Sequence, residues 1–243
     1  MKNLIVITTI GNINLLEGSL ISLSDETNDI VIIDDGSKMD YKDLRNKYNF
    51  TLIKQERGKG LTNSWNIAYC IFKDGYEKCL ISNDDVIFPN KVPEDMWRGL
   101  DKYTLIGPLS DPIGCGKFAG RFQDVTHYLS GIEDFKNVMD IQNRLQKKHP
   151  NKRFLEIGKD ITLPREEPPY INGFCFSFNR NIIDSEFSKD ILFNPIKINT
   201  GNEKELQKHR LKEKKAISIK SYVYHYKGQS LNSNSNRQEI INK

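Results

Sequence analysis

"KCLISNDDVIFP", residues 78–89, decides how this chain folds. Cys79-Leu80-Ile81 is a short apolar run of the kind that fills a strand buried on both faces. Val86-Ile87-Phe88 resumes the pattern after Asn83-Asp84-Asp85. Two adjacent carboxylates in such a place repel each other and lose hydration, so they need a compensating partner. A bound divalent cation is one partner that suffices.

Upstream, the same grammar repeats. Leu4–Thr9, Asp29–Ile33 and Phe50–Lys54 are apolar bursts rich in β-branched residues. They alternate with helical stretches at Leu15–Leu23, Tyr41–Tyr48 and Leu61–Phe72. Buried strands alternating with helices give βαβ units, hence an α/β fold with a mostly parallel central sheet and helices on both faces. Downstream the pattern loosens. Helices are expected at Pro93–Tyr103, Glu133–Lys147 and Asn202–Lys214, and strands at Leu105-Ile106, Gly173–Phe178 and Ala216–Tyr226. A long Gly-, Ser-, Asp- and Pro-rich loop is expected over 110–131. With no internal repeat and no linker, the reading is one compact domain over 1–229, with halves 1–110 and 111–229, and a polar tail over 230–243.

Composition sets limits. The chain has 243 residues, 37% hydrophobic and 28% charged, which supports a real core under a solvated surface. No run approaches the roughly 18 to 20 apolar residues of a membrane span, so no transmembrane segment is expected. The first residues read as a strand rather than a signal peptide. Four cysteines form no CxxC pair and sit mostly among apolar residues, which argues for buried thiols, a reducing compartment and a cytoplasmic location. A net charge of +4 is too mild for a nucleic-acid binder, and the basic runs at 144–153 and 204–215 read as solvated helix faces. The sequence GCGKFAG (114–120) is GxGxxxG without the strand-to-helix setting of a dinucleotide loop.

In open parallel sheets, ligands collect beyond the carboxyl ends of the strands. Thr8-Thr9 close the first predicted strand, Asp34-Asp35-Gly36-Ser37 the second, and Asn83-Asp84-Asp85 the fourth. Three polar clusters at strand ends of the same sense point to one site along one rim.

Taken in order, "LIVITTIGN", "VIIDDGS", "GKGLTNSWNIA" and "LISNDDVIFP" resemble the nucleotide-sugar-binding half of family-2 glycosyltransferases of the GT-A fold. "INGFCFSFNR", "GNEKELQKHRL" and "VYHYKGQS" resemble the acceptor-side segment, catalytic helix and closing histidine of that family. The resemblance runs from about residue 3 to about residue 230. It implies a metal-dependent, inverting glycosyltransferase that takes Mn2+ or Mg2+ and a nucleotide-diphosphate sugar, UDP-sugar favoured. A hydroxyl of a glycan or other acceptor would receive the sugar, and a homo-oligomer is compatible with it. By that resemblance Thr8, Thr9, Asp34, Asp35, Gly60, Asn66, Asn83 and Asp84 would line the donor site, and Asp85 with His225 would hold the metal. Asn172, Gly173 and Phe174 would face the acceptor. Glu203 would be the catalytic base, with Glu205 the alternative. Four departures stand out: Gly58 replaces an asparagine, Trp65 a frequent arginine, and Asn83 and Asn202 replace leading acids. Arg57 or Lys59 could approach a diphosphate. The replaced acids at Asn83 and Asn202 keep open a non-catalytic nucleotide-sugar or glycan-binding module, and a sugar nucleotidyltransferase, which also joins a doubly wound sheet to a metal and a nucleotide, is the other alternative.

Overall fold

Four parallel strands form the first half of the sheet, the inner three apolar on both faces and the edge strand exposed at its ends. They are β1 (Asn3–Thr9), β2 (Asn28–Asp34), β3 (Thr51–Lys54) and β4 (Lys78–Asn83). β1 pairs with β2 from Asn3↔Asn28 to Thr9↔Asp34, and with β4 from Leu4↔Cys79 to Thr8↔Asn83. The second half adds β6 (Leu105–Leu109), β7 (Phe154–Glu156), β8 (Cys175–Asn179) and β9 (Lys215–Tyr222). The order is β3-β2-β1-β4-β8-β6-β9-β7. The sheet crosses between the halves where β8 lies antiparallel to β4, and β6 then pairs parallel with β9. This is a mixed α/β fold with a mostly parallel central sheet. The structure, a computed structural model, describes residues 2–23, 28–56, 59–89, 91–115, 122–161, 170–184, 191–198, 201–209 and 214–227.

Side chains alternate across β1 and β2. Leu4, Val6, Val31 and Ile33 join one apolar cluster, while Ile5, Ile7, Ile30 and Ile32 join the other. Helix α3 (Leu61–Gly75) covers the first face with Trp65, Ala68, Tyr69 and Phe72, an i, i+3, i+4, i+7 stripe. Helix α6 (Val138–Lys148) adds Ile141 and Leu145 on that side. The opposite face is covered by α1 (Ile13–Leu23), α2 (Lys42–Lys47) and α4 (Val92–Gly99).

Several expected boundaries move, each for a local reason. The helix expected from Glu133 begins at Val138 because Asn137 caps it, its side chain accepting from the Asp140 N–H at 3.2 Å. Among the described residues of the expected loop over 110–131 there are a helical turn, α5 (Pro112–Cys115), and a 3-10 turn at Val125–His127. The single strand expected over Ala216–Tyr226 breaks at Val223, whose N–H turns to the Leu109 carbonyl at 2.9 Å. Beyond the break, β10 (Tyr224–His225) leaves the main sheet and pairs antiparallel with β5 (Val86–Ile87). Helix α7 spans Asn202–His209. Arg57, Gly58, residues 116–121 of the Gly-rich stretch, and the tail from 228 lie outside the described residues. Among the described residues, no helix is long and apolar enough to cross a membrane.

Candidate active site

Parallel register brings the polar strand ends together. Thr9 is the partner of Asp34, and Thr8 of Asn83. With strands about 4.8 Å apart, the ends of β2, β1 and β4 therefore span only about 10 Å. The chain then continues along this rim: the Asp35 N–H donates to the Thr9 carbonyl at 2.9 Å, and the Asp84 N–H to the Thr8 carbonyl at 3.1 Å.

Asp34 and Asp35 have separate tasks. Asp34 is fully buried and makes the turn, accepting from the Ser37 N–H at 2.9 Å and the Ser37 hydroxyl at 2.8 Å. Asp35 is half-buried and reaches across to α3, where both its oxygens accept the Gly60 N–H at 3.0 and 3.2 Å. Gly60 caps that helix at φ +80°, a conformation that favours glycine. Burial lifts the Asp35 carboxyl above the usual carboxylate range; the Gly60 N–H opposes the lift and the Asp34 charge adds to it.

The Asp84–Asp85 turn between β4 and β5 is held from two sides. The Thr9 hydroxyl donates to Asp84 Oδ2 at 2.6 Å while accepting from the Gly11 N–H. From α1, the Ser19 hydroxyl approaches the carbonyls of Asp84 at 3.0 Å and Val86 at 2.6 Å. Asn83 Oδ1 is buried with no hydrogen-bond partner.

Pairing of β10 with β5, together with a 2.9 Å bond from the Tyr226 N–H to the Asp85 carbonyl, sets His225 against Asp85. His225 Nε2 lies 3.2 Å from Asp85 Oδ1, and the two side chains are almost fully buried. The other ring nitrogen, Nδ1, lies 2.9 Å from the Gly114 carbonyl, which can only accept, so Nδ1 carries the hydrogen. In the neutral ring, Nε2 therefore turns a lone pair toward a carboxylate oxygen. Although close, the contact lacks hydrogen-bond alignment, and Asp85 Oδ1 is left without a hydrogen-bond partner. Two buried acceptors facing each other repel unless a proton or a metal ion lies between them. Adjacent ligands on an octahedral ion at about 2.1 Å stand about 3.0 Å apart, close to this separation.

The histidine is braced from behind. Asp111 accepts from the Gly114 N–H at 2.8 Å and the His225 N–H at 3.3 Å. The Phe174 ring stacks on the imidazole with centroids 4.8 Å apart. Asp111 and Gly114 were not foreseen from the sequence, although Ser110-Asp111 follows β6 just as the other acids follow their strands. Phe174, expected on the acceptor side, is 1% exposed and supports the imidazole. Asp85 and His225 are the side chains that offer themselves to a metal; among the described residues no group of three or more His, Cys, Asp or Glu gathers for one.

At the start of α7, Glu203 is pushed above the usual carboxylate range by burial. Its own N–H and that of Gly173 pull the other way, as does Lys197. Glu205 is engaged elsewhere: Oε1 accepts from Asn194 Nδ2 at 2.7 Å and Oε2 lies 3.5 Å from Lys197 Nζ. Asn202, 1% exposed, donates through Nδ2 to the Thr62 hydroxyl, which itself donates to the Ile198 carbonyl. An acid at 202 would lose that donor and bury a charge, which accounts for the asparagine. The Asn66 carboxamide is spent on backbone, donating to the Phe193 carbonyl and accepting the N–H groups of Leu192 and Phe193 at 3.1 and 2.8 Å. Asn172 Nδ2 donates to the Cys115 carbonyl at 2.9 Å, tying this side to α5.

No protein-family profile matches the sequence, and no curated protein matches it. Solved structures do. S. aureus TarS 1–349 aligns with a TM-score of 0.58 at 14% identity, over 96% of this chain and 63% of that one. GalNAc-T7 with UDP, GalNAc and Mn2+ aligns at 0.57 with 16% identity, over 93% and 44%. TarS 1–349 in complex with UDP-GlcNAc aligns at 0.51 with 14% identity, over 99% and 64%. The chain thus spans less than two thirds of the length of these glycosyltransferases and has their GT-A-type fold.

Proposed function

We propose that this chain is a metal-dependent, inverting glycosyltransferase that moves a sugar from a nucleotide-diphosphate sugar, UDP-sugar first, to a hydroxyl of a glycan or other acceptor. The observation that carries the reading is the confrontation of Asp85 Oδ1 and His225 Nε2 at 3.2 Å on the rim. Two protein ligands are what a hard divalent ion commonly takes when substrate phosphates and water complete its shell. Mn2+ or Mg2+ held there would supply Lewis-acid stabilisation of the departing diphosphate. The neighbouring structures of GalNAc-T7 with UDP and Mn2+ and of TarS with UDP-GlcNAc support the same donor class.

The residues divide the remaining work. Asp35, the half-buried acid of its pair, retains lone pairs for a base N–H or a ribose hydroxyl, with Thr8, Thr9, Asp34, Asn83 and Asp84 forming and bracing the rim around it. Glu203 accepts the proton of the acceptor hydroxyl as that oxygen bonds to the anomeric carbon. The bond from that carbon to the diphosphate breaks, and its electron pair leaves with the nucleotide. Of the two acids in the first turn of α7, Glu203 is the one left to act as base, since Glu205 is held by Asn194 and Lys197, and a single displacement needs one base.

Donor hydrolysis and donor-induced thermal shifts, each measured with and without Mn2+, test the reading. Glu203→Ala should lower turnover by about 10²–10⁴-fold while leaving the donor-induced shift in place. Asp85→Ala should abolish the Mn2+-dependent part of that shift. Wild-type turnover in the Glu203 variant contradicts the base assignment. Pyrophosphate release from a nucleoside triphosphate and a sugar phosphate would point instead to nucleotidyl transfer.

A further inference from the structure

We infer that Gly173 and Trp65 are positioning residues for Glu203: the space left by the missing side chain at 173 is shared by the indole edge and the carboxyl group, and so fixes where that carboxyl stands. The inference rests on the reading of Glu203 as the base.

Gly173 is buried, and it is not among the residues with positive φ, so its backbone conformation does not require glycine. The space does. A Cβ placed on it would stand 2.6 Å from Trp65 Cη2, 3.3 Å from Trp65 Cζ2 and 3.3 Å from Glu203 Cδ. The first distance is well inside van der Waals contact, and the indole has little freedom to retreat. Trp65 is 1% exposed, with the Phe176 ring edge-on at 5.3 Å and the Phe193 ring tilted against it at 5.0 Å. Each neighbour of Glu203 has a distinct effect. From α3 comes an apolar indole, which excludes water. From the segment before β8 comes the Gly173 N–H, which faces the carboxylate. From the loop before α7 comes the charge of Lys197, itself paired with Glu205 at 3.5 Å. Removing water raises the proton affinity of the carboxyl, while the amide and the lysine restrain the rise. A base is most effective when its proton affinity approaches the working pH, so the two residues that place Glu203 also help to tune it.

The test is a cycle of Gly173→Ala, Trp65→Phe and the double variant, read in two ways. The first is steady-state donor turnover with acceptor or water. The second is the titration of the Glu203 side-chain carboxyl by 13C NMR of 13C-glutamate-labelled protein, the resonance being identified by its loss in Glu203→Gln. Gly173→Ala should lower kcat by about 100-fold, the scale of an ångström-sized misplacement, with the donor KM within about 2-fold. Phenylalanine ends short of the Cζ2–Cη2 edge, so the double variant should regain at least about 10-fold of that loss. Trp65→Phe alone should admit water and move the Glu203 titration, and the acidic limb of the rate profile, to lower pH. Unchanged kcat in Gly173→Ala overturns the inference. So does a Glu203 titration that Trp65→Phe leaves in place. If the wild type turns nothing over, the proposed function fails, and the NMR titration still decides whether indole and glycine set the carboxyl.

Discussion

Glu203 illustrates at the residue scale how a site works against stability. Burial makes its carboxyl harder to ionise in the folded chain than in the unfolded one. As pH rises through the ordinary carboxylate range, the unfolded chain loses this proton first, so stability declines across the window up to the raised folded value. Glu203→Gln is neutral throughout and escapes that decline. The variant should melt above wild type at pH 8 and match it near pH 4. Calorimetry at the two pH values checks this, and equal melting temperatures at pH 8 contradict it. Asp34 has a structural task instead. Two bonds from Ser37 satisfy its buried charge, so its role is to shape the turn that carries Asp35.

At the scale of elements, the site depends on joints between segments distant in sequence. One is the Thr62–Asn202 bond joining the start of α3 to the start of α7, across which Asp35, Gly60 and Glu203 are held in one frame. Asn202→Asp would restore the acid common in the family it resembles, yet it removes a buried donor and buries a charge. It should cost about 2 kcal/mol or more, visible as a melting temperature lower by about 4–8 °C. An unchanged melting temperature contradicts that account. The other joint is β5 with β10, which brings His225 to Asp85. Neither joint was legible in the sequence, although the resemblance already put Asp85 and His225 on one metal. Strands β1, β2 and β4 could be read because burial on both faces writes a continuous apolar run, and their polar ends stand out against it. Two-residue strands write no period, and Val223 gives no local sign that the chain leaves the sheet there. Asp111 and Gly114 escaped for the same reason, because their task is defined by a histidine more than a hundred residues away.

For the whole molecule, the sheet order explains why one rim collects the chemistry. Parallel β2, β1 and β4 end on the same side, and antiparallel β8 begins where β4 ends, so Asn172 and Gly173 arrive at that rim from the second half of the chain. The residue types at these ends were readable, but what each touches was not: Phe174 lies against the imidazole of His225, and Asn66, from inside α3, binds backbone. The claim on which the site rests is that Asp85 and His225 share one cation. Crystals grown with UDP and Mn2+, measured for anomalous scattering at the manganese edge, address it directly. The account predicts one strong peak within about 2.0–2.4 Å of both Asp85 Oδ1 and His225 Nε2, with diphosphate oxygens completing its shell. A nucleotide bound with manganese elsewhere, and no peak between those two atoms, would contradict it.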